Sequence, residues 1–148
     1  MKLASLPLRA GAWRWLPVLF WAGFIFLLSA TSNLRFVSAN DVDFVVRKAG
    51  HMCAFGILAV LLWQALAPAL FRLRGMALWG LAWVLTVAYA ASDEFHQSFT
   101  AGRHPAVTDV AIDAAGALLF LVALAVWLRW WRGRAAPRSL RRYSESGE

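Results

Sequence analysis

Three stretches of this chain contain no Asp, Glu, Lys or Arg, and a fourth contains Asp113 alone. They run from Trp15 to Leu34, Ala49 to Phe71, Gly75 to Ser92 and Val110 to Leu128, and are 20, 23, 18 and 19 residues long. About 20 helical residues, rising 1.5 Å each, cross the hydrocarbon core of a bilayer. A soluble fold of 148 residues, 61% hydrophobic and only 16% charged, would lack the polar surface to cover so much apolar chain. These runs predict an all-α polytopic membrane protein, a four-transmembrane-helix bundle with helices over about 15–34, 49–71, 75–92 and 106–130. A membrane domain over 1–132 then leaves a short basic tail, 133–148, too polar to pack and expected to be disordered. The first run has features of a secretory signal, with Lys2, Arg9 and Arg14 before it and small residues at Ser29-Ala30-Thr31-Ser32. Its length exceeds the roughly 7–15 residues of a signal core, so a retained span is the reading adopted.

Basic residues orient the bundle. With the N-terminus in the cytoplasm and four alternating helices, eleven of the fifteen Lys and Arg fall inside, and only Arg35, Arg47, Lys48 and Arg103 fall outside. Six of the eight carboxylates fall outside. The net charge of +7 divides into +9 inside and −2 outside, as the positive-inside bias requires. The expected location is the cytoplasmic (inner) membrane, multi-pass, with both termini in the cytoplasm. Trp13, Trp15, Trp79, Trp127, Trp130 and Trp131 fall near the inner helix ends, where an aromatic belt sits. A pI near 11.1 would suit a nucleic-acid binder, but here the excess lies in short juxtamembrane stretches. Attraction to the anionic bilayer surface accounts for it, and no nucleic-acid partner is implied. Cys53 is the sole cysteine, which excludes an intramolecular disulfide; within an apolar run it reads as a small buried hydrophobe.

Against this background the titratable residues cluster. The third run ends in Ser92-Asp93-Glu94-Phe95-His96-Gln97, two carboxylates, an imidazole and a carboxamide within five positions. A helix leaving a membrane needs only an anchor at that point. Lys48 and His51, three apart, share a face at the outer start of the second helix. Thr86, Tyr89, Asp93 and His96, spaced 3, 4 and 3, form a helical stripe that Gln97 joins, while Glu94 lies about 100° away, placed for another contact. In the fourth helix Asp109, Asp113 and Gly116 share a face. Only 15 residues separate Asp113 from Arg129, so the Asp-bearing turns must help to cross the bilayer. A carboxylate facing lipid costs several kcal/mol, so Asp113 should face the bundle interior, with Gly116 permitting close helix approach beneath it.

Topology brings these groups to one outer face. Candidate proton-transfer groups are His51, Asp93, His96 and Asp109; candidate substrate-binding groups are Lys48, Glu94, Gln97, Arg103 and Asp113. Each has a bland counterpart. Lys48 and Arg47 can snorkel to headgroups, and Asp93 and Arg103 can pair merely to fasten a loop. His104 reads as a loop residue, and Tyr89 and Phe99 as packing aromatics.

Lys48-x-x-His51-x-x-x-Phe55, Asp93-Glu94-x-His96-Gln97-x-Phe99, Gly102-Arg103 and Asp109-x-x-x-Asp113-x-x-Gly116 together resemble the VanZ-like family of small membrane proteins. The likeness runs from about Lys48 to Gly116 and departs at Asp113, where similar members usually carry Asn. An Asp there either keeps the hydrogen-bonding role in protonated form or adds a charge to the site. The resemblance implies a bacterial membrane protein, some of whose relatives are linked to resistance to the glycopeptide teicoplanin; it implies no particular reaction.

Three function classes remain open. One is an enzyme acting on a lipid-linked or cell-wall precursor at the outer leaflet, with a histidine moving protons and Lys48 or Arg103 holding an anionic headgroup. The second is a binding or envelope-organising protein that recognises such a molecule without changing it. The third is a proton-linked transporter or relay through Asp109 and Asp113, which in so small a chain would require an oligomer. His51, Asp93, His96 and Asp109 include donors a divalent metal accepts, but their spacing matches no established ligand motif, and no cofactor is assigned.

The orientation is directly testable. In a Cys53→Ala background, cysteines at Ser38 and Ala101 should label with a membrane-impermeant thiol reagent in intact cells, and one at Ser139 should not. The inverse pattern would overturn the charge argument.

Overall fold

The computed structural model describes residues 11–30, 40–70, 75–99 and 106–135, and these form helices throughout. A 3-10 turn at Trp13–Trp15 leads into α1 (Leu16–Ser29), followed by α2 (Asn40–Ala69), α3 (Met76–Gln97) and α4 (Val107–Ala135). Within these helices the segments Val45–Ala69, Met76–Gln97 and Val107–Arg134 are each long and apolar enough to cross a membrane. The first apolar helix, Trp13–Ser29, is shorter. The chain is thus an all-α membrane bundle of three long helices and one short one.

The helices outrun the charge-free stretches that announced them. α2 begins at Asn40 rather than near Ala49, so Arg47 and Lys48 lie inside it. α3 continues to Gln97, taking in the polar cluster after Ser92. α4 continues to Ala135, past the boundary expected at Arg132. Freedom from charge marks the stretch that hydrocarbon tolerates, whereas a helix continues wherever its backbone bonds are made, including the polar interface. At 30 residues α2 is about 45 Å long, well beyond the roughly 30 Å hydrocarbon core. Of the expected tail, residues 136–148 lie outside the described segments, as do Arg103 and His104.

The bundle runs up and down. Contacts pair Lys48, His51, Met52 and Gly56 of α2 with Asp109, Asp113, Gly116 and Phe120 of α4, numbers that rise together, so these two helices are parallel. Trp63 of α2 stacks on Trp79 of α3 at 4.6 Å, at the end away from Lys48, so α3 is antiparallel to both. α1 runs with α3: Ala22 meets Tyr89, and Ser29 meets Asp93. This alternation puts the C-terminal ends of α1 and α3 beside the N-terminal parts of α2 and α4.

Two kinds of contact hold the helices together. Apolar packing centres on Phe55, Leu58, Leu62 and Leu66 of α2, with Val18 and Ile25 of α1 and Leu78, Ala82 and Ala90 of α3. A second cluster joins Ala59 to Ala117 and Leu121 of α4. Aromatic donors then tie side chains to the backbone of neighbouring helices. Trp21 Nε1 donates to Ala54 O at 2.8 Å, Tyr89 Oη to Ala22 O at 2.6 Å and Trp83 Nε1 to Ala114 O at 3.0 Å. Each uses the second lone pair of a carbonyl, so the helical ladder need not be broken. Leu19, Phe20, Leu119, Val122 and Val126 are exposed on the outside, a surface suited to lipid rather than water.

α4 approaches α2 closely at Gly116. A Cβ built there would collide with the Met52 carbonyl oxygen and Cγ, so a methyl group cannot enter without parting α2 from α4. Gly75, just ahead of α3, adopts φ 68°, a conformation that side-chain-bearing residues rarely take. Gly116→Ala should therefore lower thermal stability in detergent by about 1–3 kcal/mol, the usual cost of overpacking. Gly80→Ala, where an added Cβ meets nothing within 4 Å, should leave melting unchanged or slightly raised. Equal melting of the two variants would mean that α2 and α4 do not meet at this glycine.

Candidate functional site

The seam between α2 and α4 ends in two polar rungs. The Lys48 ammonium pairs with the Asp109 carboxylate. One turn deeper, His51 Nδ1 lies 3.8 Å from Asp113 Oδ2, too far for a hydrogen bond but close enough for electrostatic contact. The Met52–Gly116 approach sits directly below. Because the helices are parallel, the three-residue step from Lys48 to His51 is matched by the four-residue step from Asp109 to Asp113. The Asp113 residue is 4% exposed, so it faces the bundle interior as expected. His51 is half-buried and stacks on Phe55, with centroids 6.2 Å apart.

α3 turns its polar residues in two directions. Asp93 Oδ2 accepts two hydrogen bonds, from Ser29 Oγ of α1 at 2.7 Å and from Gln97 Nε2 at 2.8 Å. All three residues are at most 4% exposed, so this carboxylate bolts the end of α1 to α3. His96 likewise faces α1, where its ring packs on Phe26 at 4.4 Å. Glu94, about 100° round the helix, reaches toward α4: its Oε1 accepts the Ala106 N–H at 2.8 Å, immediately before that helix begins. A carboxylate from α3 thus satisfies one donor at a helix N-terminus, where negative charge is favourable.

A cavity of about 510 Å³ opens between these elements, within the range of small-molecule sites. Lys48, His51, Glu94, Gln97, Asp109 and Asp113 line its polar part. Trp21, Phe24, Ile25 and Leu28 of α1 face Cys53, Ala54 and Ile57 of α2 along its apolar part. Of the residues expected to move protons, the fold brings His51 and Asp109 to this cavity and turns Asp93 and His96 toward α1. Of those expected to bind, Lys48, Glu94, Gln97 and Asp113 line it, and Arg103 lies outside the described residues. His51 faces Asp113. Among the described residues no three His, Cys, Asp or Glu side chains come together as a metal set would require.

Cys53 corrects one expectation. It is exposed rather than buried, and it lines the cavity. The fourth helix packs against the Met52 and Gly56 side of α2, which leaves position 53 turned toward α1 and the opening. The α1 wall was not foreseen at all, because an apolar run carries no chemical signature of the cavity it will border. Ser29, the first hydroxyl at the polar end of that run, was the available clue.

The profile of the VanZ/LLP1 family matches residues 13–129. The chain belongs to the VanZ/LLP1 family. The match takes in α1, which contributes the apolar wall, as well as the three helices that carry the polar residues. No curated protein and no solved structure matches the chain.

The placement of Asp93 makes a stability prediction. Ser29→Ala and Asp93→Ala should each lower melting in detergent, and the double variant should fall short of their sum by about 0.6–1.7 kcal/mol, the range measured for hydrogen bonds between membrane helices. Strict additivity would show that the two side chains do not share a bond.

Proposed function

We propose that this VanZ/LLP1-family protein recognises a lipid-linked molecule of the cell envelope in the cavity between α1, α2 and α4, with the polar end at the extracytoplasmic face. The observation that carries the reading is the amphipathic lining of one continuous space: titratable side chains at one end, and an aromatic and aliphatic wall along α1 and α2. A purely polar solute would gain nothing from Trp21, Phe24 and Leu28, and a lipid tail alone would leave the polar end of the cavity unfilled. An amphiphile satisfies both ends. The charge distribution supports the orientation, since the end bearing Lys48, Glu94 and Asp109 is the one that the positive-inside bias puts outside.

Recognition is favoured over catalysis because Asp93 and His96 are engaged with α1. His51 beside Asp113 is the group placed to move a proton if the bound molecule is also modified. The same contact gives a relay its foothold, as the second rung of a ladder running inward from Lys48 and Asp109. A relay would need the ladder to continue toward the other end. There the α2–α4 contacts become apolar, with Ala59 against Ala117 and Leu121, which favours a closed pocket over a path.

Native mass spectrometry of the protein released from mild detergent tests the reading. Wild-type protein should retain an amphiphilic ligand. Gly50→Trp should lose it, because Gly50 lines the cavity and has nothing within 4 Å of a new Cβ. Gly80→Trp, off the cavity on α3, should retain it. Equal retention by both variants, or no retained amphiphile in the wild type, would overturn the proposal.

A further inference from the structure

Two faces of α2 meet different surroundings. Phe55, fully buried, points into the apolar core with Leu58 and Leu62. Cys53 and Ile57 stand two residues to either side of it, and two residues of α-helix are a rotation of about 200°. They therefore face away from the core, toward the bilayer. Val46 and Gly50 continue the same stripe toward the polar end, and all four residues line the cavity. Val46 is 40% exposed, Cys53 is exposed, and a Cβ built on Gly50 meets nothing within 4 Å among the described residues. The apolar part of the cavity is thus a groove along the lipid-facing side of α2, with Phe24 and Leu28 of α1 as a wall.

At its inner end this groove stops. Trp21 Nε1 bonds the Ala54 carbonyl at 2.8 Å, which carries the indole across the gap from α1 to α2. Further in, Val18 is 6% exposed and packs in the cluster that holds Leu58 and Leu62. From His51 down to Ile57 the helix rises about 9 Å. One leaflet holds about 15 Å of hydrocarbon, half of the roughly 30 Å core. The chain of a bilayer lipid seated below the polar rungs therefore outruns the groove, and its surplus leaves through the flank.

We infer that the cavity takes its amphiphile sideways from the bilayer. The occupant is a lipid whose head meets the polar rungs, whose first chain segment lies on the Val46–Ile57 stripe, and whose chain end stays in the membrane. The inference rests on the amphiphile reading above and adds where the chain goes and which chains fit. A site closed all round would reject a chain longer than itself. A groove closed at its inner end and open along its flank does not measure the chain.

Cys53 reports occupancy. It is the chain's one cysteine and sits within the stripe, so a bound chain should slow its alkylation by N-ethylmaleimide. Leu118 of α4 supplies the reference. It is 51% exposed, it is off the cavity lining, and it lies at similar depth, because Met52 meets Gly116 and Gly56 meets Phe120. It would be read as Leu118→Cys in Cys53→Ala protein. The probes are lysolipids with dodecanoyl, hexadecanoyl, eicosanoyl and pyrene-tipped hexadecanoyl chains, in a phosphocholine and a phosphoglycerol series. Each is titrated into the full-length protein in detergent and expressed as its mole fraction in the micelle.

In at least one series, the hexadecanoyl, eicosanoyl and pyrene-tipped lipids should half-protect Cys53 at mole fractions within about twofold of one another, because chain beyond the groove buries no further protein surface. The Leu118→Cys thiol should stay unprotected. A loss of more than about tenfold on passing from the dodecanoyl to the eicosanoyl chain, or on adding the pyrene, would overturn the open flank and leave the amphiphile reading standing. Equal protection of both thiols would assign the effect to lipid surrounding the whole bundle and overturn the groove as a site. Protection by neither series would overturn the amphiphile reading itself.

Discussion

The approach of Gly116 to the Met52 carbonyl sets the spacing on which the functional end depends. Two parallel helices can hold an ammonium against a carboxylate and an imidazole near another carboxylate only if their backbones are close at that depth. A side chain at position 116 would wedge the helices apart just below the His51–Asp113 rung. Helix association within a bilayer gains little from the hydrophobic effect, because lipid chains are as apolar as leucine. Close packing and hydrogen bonds must supply it. The small residues Ala59, Ala117 and Gly116 do the former, and Trp83, bonded to the Ala114 carbonyl, adds the latter.

α1 is attached differently, and the difference shapes the cavity. It meets the other helices through discrete polar ties, Trp21 to Ala54, Tyr89 to Ala22 and Ser29 to Asp93, together with the packing of Val18 and Ile25. Between those ties its Phe24 and Leu28 border the cavity instead of filling it. A helix fastened at intervals can line a space that a fully interdigitated helix would close. Asp93 serves this architecture, which explains a carboxylate in a position that looks chemical by composition. It accepts two hydrogen bonds on one oxygen and holds the polar ends of α1 and α3 together.

How much of this was legible beforehand follows from what each signal measures. Charge-free length counts the residues that hydrocarbon tolerates, so the number of helices and their approximate centres could be read directly. The same signal stops at the first charged residue, and so it placed the start of α2 near Ala49 although the helix begins at Asn40. Helical periodicity correctly put Lys48 with His51 and Asp109 with Asp113 on shared faces, because both members of each pair lie on one helix. It also put Asp93, His96 and Gln97 on one stripe. It could not tell that the stripe faces α1 at Asp93 and His96 while Gln97 also borders the cavity.

The sequence by itself determined the all-helical membrane class, the family and the gathering of the polar residues toward one end. The class and the gathering follow from composition and spacing along the chain, and the family from the resemblance of its motif residues; none of these needs knowledge of neighbours. Only the tertiary structure decided the partners: His51 with Asp113, Asp93 with Ser29, Glu94 with the start of α4, and Cys53 with an opening rather than a core. The rotation of each helix about its own axis settles these, and that rotation is fixed by which small residues allow close approach and which indole or hydroxyl finds a carbonyl across the gap. Such information belongs to pairs of helices, and no single stretch of chain contains it.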